Sequence, residues 1–165
     1  MVLLFLIILI LSTMSIQIVE TKKDNLDTFV DVCWRNDYYV EKRCGKDLWK
    51  RGWKVLANDM IYESFYHIIL NDKVIGILTT RDKGVWWKMI TMICIDEKYR
   101  SKGYGKQVVD LVKNGLLERH KELWLDIDVR KSTKNRLFKY YVSLGFKFGK
   151  INPADGCMLM EWKKN

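Results

Sequence analysis

The stretch ICIDEKYRSKGYGKQVVDLV, residues 93–112, carries residue types that suit an anionic ligand. Its polar centre holds Gly103 and Gly105, and a helical apolar pattern follows. The first turn of a helix leaves backbone N–H groups unpaired and carries a partial positive charge, so it binds phosphate groups well. Glycines let the backbone approach such an anion closely. The stretch therefore predicts a phosphate-binding loop. Further positive charge comes from Arg100, Lys102 and Lys106.

Two other structures fit the same glycines less well. A plain strand-to-helix turn has no need of three cations around them. A dinucleotide-binding turn needs a third glycine where this chain has Val108. In such a turn the glycines also follow the strand directly, which they do not do here. Gly103-Tyr104-Gly105 and Asp126, at roughly the acidic position of that fingerprint, agree with it.

The loop follows a predicted three-stranded meander. Aromatic and β-branched runs separated by short turn signals predict antiparallel hairpins, at 61–70, 74–80 and 85–95. Helical spacing predicts four helices. The first is capped by Asp24, and the others span 43–57, 106–121 and 133–144. Further strands are predicted at 14–21, 123–129, 146–151 and 157–162. The order β-α-α-β-β-β-α-β-α-β-β predicts a mixed sheet covered by helices.

Two motifs in this order resemble those of the GNAT superfamily of acetyltransferases. The hexamer Arg100-Ser101-Lys102-Gly103-Tyr104-Gly105 is similar to the family signature Arg/Gln-x-x-Gly-x-Gly/Ala, which follows the fourth strand. KSTKNRLFKYYVSLGF, residues 131–146, resembles the later helix that ends Tyr-x-x-x-Gly-Phe. The likeness covers about residues 14–164. It implies an α/β (α+β) fold, with a mostly antiparallel mixed sheet of six to seven strands and about four helices.

The resemblance implies acetyl-CoA as the co-substrate and no metal. Its diphosphate would lie at residues 100–106, and its pantetheine arm would pair with an open strand edge where strands 85–95 and 123–129 splay apart. The implied cofactor-binding residues are Ile93, Ile95, Arg100, Ser101, Lys102, Gly103, Tyr104, Gly105 and Lys106. The cysteines do not indicate zinc either, because Cys33, Cys44, Cys94 and Cys157 include no CxxC pair.

The resemblance also implies transfer of the acetyl group to a primary amine by direct attack. Tyr141 occupies the family position of the general acid that protonates the departing thiolate; core packing is its alternative, and Tyr140 is a weaker candidate. Lys134 stands at the usual asparagine position, and Asn135 comes one residue late, so the chain departs from the family pattern there.

The sequence offers several alternatives for the general base. Residues 88–92, where many relatives carry a glutamate, hold no carboxylate. Asp126, Asp128 and His67 are alternatives, and each has an ordinary structural explanation. Near the acceptor, we expect either pocket lining or core packing from Tyr38, Tyr39 and Trp49.

The bulk composition sets the remaining expectations. A length of 165 residues, 48% of them apolar, fits one domain, which we assign to 14–165. The apolar residues 1–13 are an appendage from a mis-set start, a membrane anchor or a signal peptide. The first makes the protein cytoplasmic, whereas an anchor would act through residues 1–19.

The net charge of +9 favours a polyanionic partner or solvated lysine-rich faces. The expected acceptor is an amine on a small molecule, a peptide or a protein; nucleic acid is not expected, and a dimer is an open possibility. Two alternative functions remain: a GNAT-like module that binds coenzyme A without turnover, and, less favoured, a basic nucleic-acid-binding protein.

Overall fold

The structure is a computed structural model, and it describes residues 15–22, 26–36, 50–52, 63–116, 119–127, 134–152 and 156–165. The strands are β1 (Gln17–Thr21), β2 (Glu63–Leu70), β3 (Lys73–Asp82), β4 (Trp87–Ile95), β5 (Glu122–Ile127), β6 (Lys147–Ile151) and β7 (Met158–Lys163). The helices are α1 (Asp27–Arg35), α2 (Tyr104–Leu111) and α3 (Lys134–Ser143).

The seven strands form one sheet in the order β1-β2-β3-β4-β5-β7-β6. Only β4 and β5 run parallel; all other neighbours are antiparallel. This confirms the predicted α+β class and the mostly antiparallel mixed sheet. The predicted turns between the first hairpins are also present. Asn71 and Asp72 both adopt positive φ, 48° and 59°, as a two-residue hairpin turn requires.

The two faces of the sheet bury separate cores. On one face, α1 packs Phe29, Val30 and Cys33 against Phe65 and Met92. On the opposite face, α2 and α3 pack against the sheet, and the buried helix residues there are Val108, Val109, Val112 and Tyr141. The helical spacing in the sequence predicted both sets of inward-facing residues.

Some predicted segments differ from the structure or lie outside its described residues. The helix predicted over 106–121 ends at Leu111 and continues as a π turn, Val112–Leu116. Of the helix predicted over 43–57, only 50–52 are described, and they are helical. Asp24, the predicted cap, and the apolar residues 1–13 lie outside the described residues.

The π turn directs Lys113 into the core. Its ammonium donates a hydrogen bond to the Leu144 carbonyl at the C-terminal end of α3. It also lies 5.0 Å from the ring centroids of both Phe146 and Trp162. Burial lowers the pKa of the Lys113 ammonium. A cation is favoured at a helix C-terminus, so this contact joins the end of α3 to the helix that follows the glycine loop.

Candidate active site

A gap opens between β4 and β5. The two strands pair from Trp87–Glu122 to Ile90–Leu125, and there the pairing stops. β4 continues for five more residues, to Ile95. From residue 91 onward, the edge of β4 that faces β5 therefore lies open. An open strand edge can pair with an extended ligand that carries amide groups.

The glycine loop forms the mouth of this gap. Ser101 and Gly103 both adopt left-handed backbone conformations, with φ of 60° and 82°. Such alternation turns successive N–H groups toward one point and makes an anion-binding concavity. The first helical bond of α2 runs from Gln107 N to Gly103 O, at 3.2 Å. Among the described residues, no side chain caps this helix end. The N–H groups of the first turn, residues 104–106, are thus those that a helix leaves unpaired.

The two glycines of the motif are required for different physical reasons. Gly103 precedes α2 at φ 82°, and a Cβ there would meet nothing within 4 Å, so its backbone conformation alone favours glycine. Gly105 has no such conformation. A Cβ on Gly105 would lie 2.9 Å from the hydroxyl oxygen of Tyr140, so packing against α3 favours glycine there.

The gap and the loop enclose one cleft of about 460 Å³ between β4, α2 and α3. The cleft brings together Tyr141 and most of the residues expected to bind the cofactor: Ile93, Ile95, Arg100, Ser101, Gly103, Tyr104, Gly105 and Lys106. Lys102 is not among its lining residues; its ammonium lies 5.7 Å from the ring centroid of Tyr99. Lys106 reaches out from the helix to Asp110, at 2.6 Å, and is 62% exposed.

Arg100 is bonded to the protein rather than directed freely into the cleft. Its Nε donates to the carbonyl oxygen of Ile95 at 2.8 Å, and its Nη2 donates to Oδ1 of Asn36 at 2.9 Å. Asn36 Oδ1 also accepts from the backbone N–H of Glu97 at 3.1 Å. The guanidinium thus ties the glycine loop to the end of β4 and to the end of α1. The sequence gives no signal for Asn36, because this contact joins residues 64 positions apart.

Asp96 anchors the same junction. Arg35 binds its carboxylate through Nε and Nη2 at 2.8 and 2.6 Å, and Asn36 Nδ2 donates to it at 2.5 Å. Burial raises the pKa of Asp96, but the hydrogen bonds from Arg35 and Asn36 outweigh it, and the net pKa is lowered. The carboxylate therefore stays ionised and fixes the residues that precede the loop.

Tyr141 lines the cleft and is 8% exposed. Burial, followed by the neighbouring charges of Tyr140 and Asp126, raises the pKa of its phenol. Tyr140 is half-buried and also lines the cleft, which the sequence interpretation did not expect. Two further lining residues on α3 had not been singled out, Arg136 and Leu137. Neither Lys134 nor Asn135 lines the cleft; both are exposed.

The residues considered as general bases are scattered. Asp126 is exposed on β5, and Asp128 lies outside the described residues. His67 is on β2, where burial lowers the pKa of its imidazole. The residues expected near the acceptor also lie outside the described part of the chain, namely Tyr38, Tyr39 and Trp49.

The described ranges contain neither a metal cluster nor a membrane-spanning helix. No group of three or more His, Cys, Asp or Glu side chains there is placed to hold a metal ion. Within those same ranges, no helix has both the length and the apolar character needed to cross a bilayer.

The comparisons with known proteins agree with this geometry. Residues 42–164 match the family model described as an acetyltransferase (GNAT) domain. Among curated proteins, no sequence matches the chain. The fold is similar to that of an acetyltransferase from Thermus thermophilus, with a TM-score of 0.72 and 12% identity, covering 92% of this chain and 99% of that one.

Two further solved structures contain coenzyme A. The PaiA N-acetyltransferase of Thermoplasma acidophilum, in complex with coenzyme A, gives a TM-score of 0.65 at 19% identity and covers 92% of this chain and 100% of that one. An aminoglycoside 6'-N-acetyltransferase complexed with coenzyme A gives a TM-score of 0.62 at 13% identity and covers 89% of this chain and 96% of that one. At these identities the likeness establishes the fold, and the family model spans well over half of the sequence: the chain belongs to the GNAT family of acetyltransferases.

Proposed function

We propose that this protein transfers an acetyl group from acetyl-CoA to a primary amine. The single observation that carries the proposal is the coincidence, in one cleft, of an unpaired helix N-terminus and an open strand edge. A diphosphate needs the first and a pantetheine arm, with its two amides, needs the second. The coenzyme A bound to two similar structures supports this choice of ligand.

In this proposal the glycine loop binds the diphosphate through backbone N–H groups of residues 101–106. The pantetheine arm then follows β4 through backbone groups near Ile93 and Ile95. The thioester would lie where β4 and β5 separate, close to Ile90 and Leu125. Arg100 acts by holding the loop against α1 and β4, since both of its bonded nitrogens contact protein acceptors.

The chemistry requires an amine that has lost a proton, because the ammonium has no lone pair. The nitrogen attacks the thioester carbon, and the carbonyl oxygen becomes an oxyanion that a β4 backbone N–H stabilises. The C–S bond then breaks, and the thiolate takes the proton of the Tyr141 phenol. The nitrogen releases its second proton, which restores the phenol directly or through water. The raised pKa of Tyr141 keeps the phenol protonated before each turnover.

A small amine is the acceptor class we favour. One similar structure is an aminoglycoside acetyltransferase, which supports an acceptor of this size.

Thiol release from acetyl-CoA, measured over a panel of amines, tests the proposal. We expect turnover of at least one small amine, and a loss of kcat on Tyr141→Phe of about 100-fold. Tyr140→Phe is the matched control, because it removes the neighbouring hydroxyl from the same cleft; we expect a smaller loss. Binding of acetyl-CoA without turnover of any amine would contradict the proposal and leave only a coenzyme A-binding module.

A further inference from the structure

A buried carboxylate lies beside the point where β4 leaves β5. Glu63 opens β2, and its side chain is 2% exposed. Its Oε1 accepts a hydrogen bond from Arg81 Nη2 at 2.5 Å, and its Oε2 accepts one from the Thr91 hydroxyl at 2.7 Å. Carboxylates are almost never buried to this degree unless they are paired. The contact with Arg81 is an ion pair between opposite charges. The contact with Thr91 hydrogen-bonds the carboxylate directly to a side chain of β4.

Thr91 occupies a β-bulge. Thr79 pairs with Met92 and Thr80 pairs with Ile90, so no residue of β3 lies directly opposite Thr91. Bulges redirect a side chain, and they are frequent next to active sites. Here the Thr91 hydroxyl lies 2.7 Å from the hydroxyl of Thr79 as well as bonding Glu63. The bulge follows Ile90, the last residue of β4 that pairs with β5.

These side chains lie on the face of the sheet opposite the cofactor cleft. Thr79 lies two residues from Ile77 on β3, and Glu63 lies two residues from Phe65 on β2, so each pair shares one face of the sheet. Ile77 and Phe65 both pack in the core beneath α1. The coenzyme A cleft is formed instead with α2 and α3. A thioester at the β4–β5 separation would therefore have Thr91 and Glu63 on the sheet face away from α2 and α3.

We propose that Thr91 contacts the acceptor ammonium and passes its proton to Glu63. This inference rests on the proposed function. Thr91 Oγ1 takes a proton from the ammonium while its own proton moves to Glu63 Oε2, so the products are a neutral amine, an intact hydroxyl and a carboxylic acid. The amine then forms the C–N bond as described above. Once the product has left, the proton on Glu63 returns through the Thr91 hydroxyl to a water molecule before the next cycle.

The arrangement accounts for a feature that the sequence left unexplained. Residues 88–92 of β4 carry no carboxylate, yet a carboxylate reaches this strand from β2, across β3. Other titratable groups on the same sheet face, within the described residues, are Arg81, His67, Cys94, Glu122 and Asp126, with Cys33 on α1. None of them is bonded to Thr91.

The test compares Thr91→Val with Thr91→Ser on the amine that the wild type turns over. Valine keeps the shape of threonine and removes the hydroxyl, so we expect kcat at pH 7 to fall by about 100-fold, while serine retains most of it. Binding of acetyl-CoA should not change in either variant. Thr80→Val is the matched control. Thr80 follows Thr79 on β3, and its side chain lies on the other face of the sheet. Its hydroxyl is buried and has no hydrogen-bond partner among the described residues.

The dependence on proton transfer is read from pH and from acceptor basicity. The loss in Thr91→Val should shrink as pH approaches the pKa of the amine, and it should vanish for an amine that is already neutral at pH 7. A loss of equal size at every pH would show a structural role and overturn the proposal. Glu63→Gln should reproduce the Thr91→Val profile; if it does not fold, the Thr91 pair decides alone.

Failure of this inference is distinguishable from failure of the proposed function. If the wild type turns over amines and the pH profile of kcat for Thr91→Val runs parallel to that of the wild type, only the proton route is rejected. A pH-dependent loss in Asp126→Asn instead would place the base on β5 and reject it equally. A wild type that acetylates no amine rejects both proposals together.

Discussion

Replacing glycine by alanine at two positions should change stability in opposite directions. Gly103 has φ 82°, and a Cβ there meets no atom within 4 Å, so its substitution adds backbone strain and nothing else. A left-handed conformation costs an L-residue about 1–2 kcal/mol. Gly115 lies in the π turn with neither a positive φ nor a near atom. Alanine there gains about 0.5–1 kcal/mol, because glycine loses more chain entropy on folding.

Thermal unfolding without ligand measures this difference. At about 2–4 °C per kcal/mol for a chain of this size, Gly103→Ala should lower Tm by about 2–8 °C and Gly115→Ala should raise it by about 1–4 °C. A third variant separates strain from packing. Gly105→Ala brings its Cβ to 2.9 Å from the Tyr140 hydroxyl, and removing that hydroxyl by Tyr140→Phe should recover part of the loss.

Two results would refute this reasoning. If Gly103→Ala leaves Tm unchanged or raises it, the loop does not hold a left-handed residue at that position. If Tyr140→Phe fails to relieve Gly105→Ala, the hydroxyl is not the atom that excludes the side chain there.

Three further predictions follow from the same contacts. Asn36→Ala and Arg100→Ala should each weaken acetyl-CoA binding, and the double variant should be little worse than either, with a coupling of about 1–2 kcal/mol in a double-mutant cycle; additive losses would separate the two residues. Burial raises the pKa of Tyr141, so turnover should show no decline from its ionisation between pH 7 and about 10, whereas an acidic phenol would give a falling limb in that range. Gly76→Ala should cost several °C in Tm, since its Cβ would overlap the Cys94 carbonyl oxygen; an unchanged Tm would contradict the tight β3–β4 approach.

The tyrosine also contributes to stability with a defined sign. A phenol whose folded pKa is raised stabilises the fold fully below its unfolded value, near 10, and loses that contribution as pH rises through the folded value. Asp96 behaves in the opposite way. Its folded pKa is lowered, so its contribution is present above about 3.9 and is lost as pH falls through the folded value.

Local patterns in the sequence were sufficient for much of the fold. Turn residues such as Asn71 and Asp72 predicted the hairpin, and helical spacing predicted the buried side of α1. The left-handed Gly103 at the start of α2 fits the predicted glycine loop. These features depend on residues within a few positions of one another, where propensity and period carry the information.

The rest depends on contacts between distant residues. Asn36 bonds Arg100 across 64 positions, and Glu63 bonds Thr91 across 28. The bulge that turns Thr91 toward Glu63 is a property of the β3–β4 register, which no local pattern specifies. Residues 88–92 contain no carboxylate, and no local pattern indicates that Glu63 of β2 hydrogen-bonds to this strand.

The early end of α2 has the same origin. Apolar spacing continues past Leu111, yet the chain adopts a π turn that places Lys113 between Phe146 and Trp162. The partners of that ammonium come from α3 and the strands that follow it. Tertiary contacts therefore override the local helical pattern.

Calorimetric titration of coenzyme A into the wild type and into Gly103→Asp tests the central claim most directly. We predict heat of binding at one site for the wild type. We predict none for the variant, because the new carboxylate would lie against the diphosphate at the start of α2. Gly115→Asp is the matched control, since it adds the same charge away from the cleft and should bind as the wild type does. Equal binding by Gly103→Asp and the wild type, or no heat from the wild type, would contradict the assignment of the diphosphate to this loop.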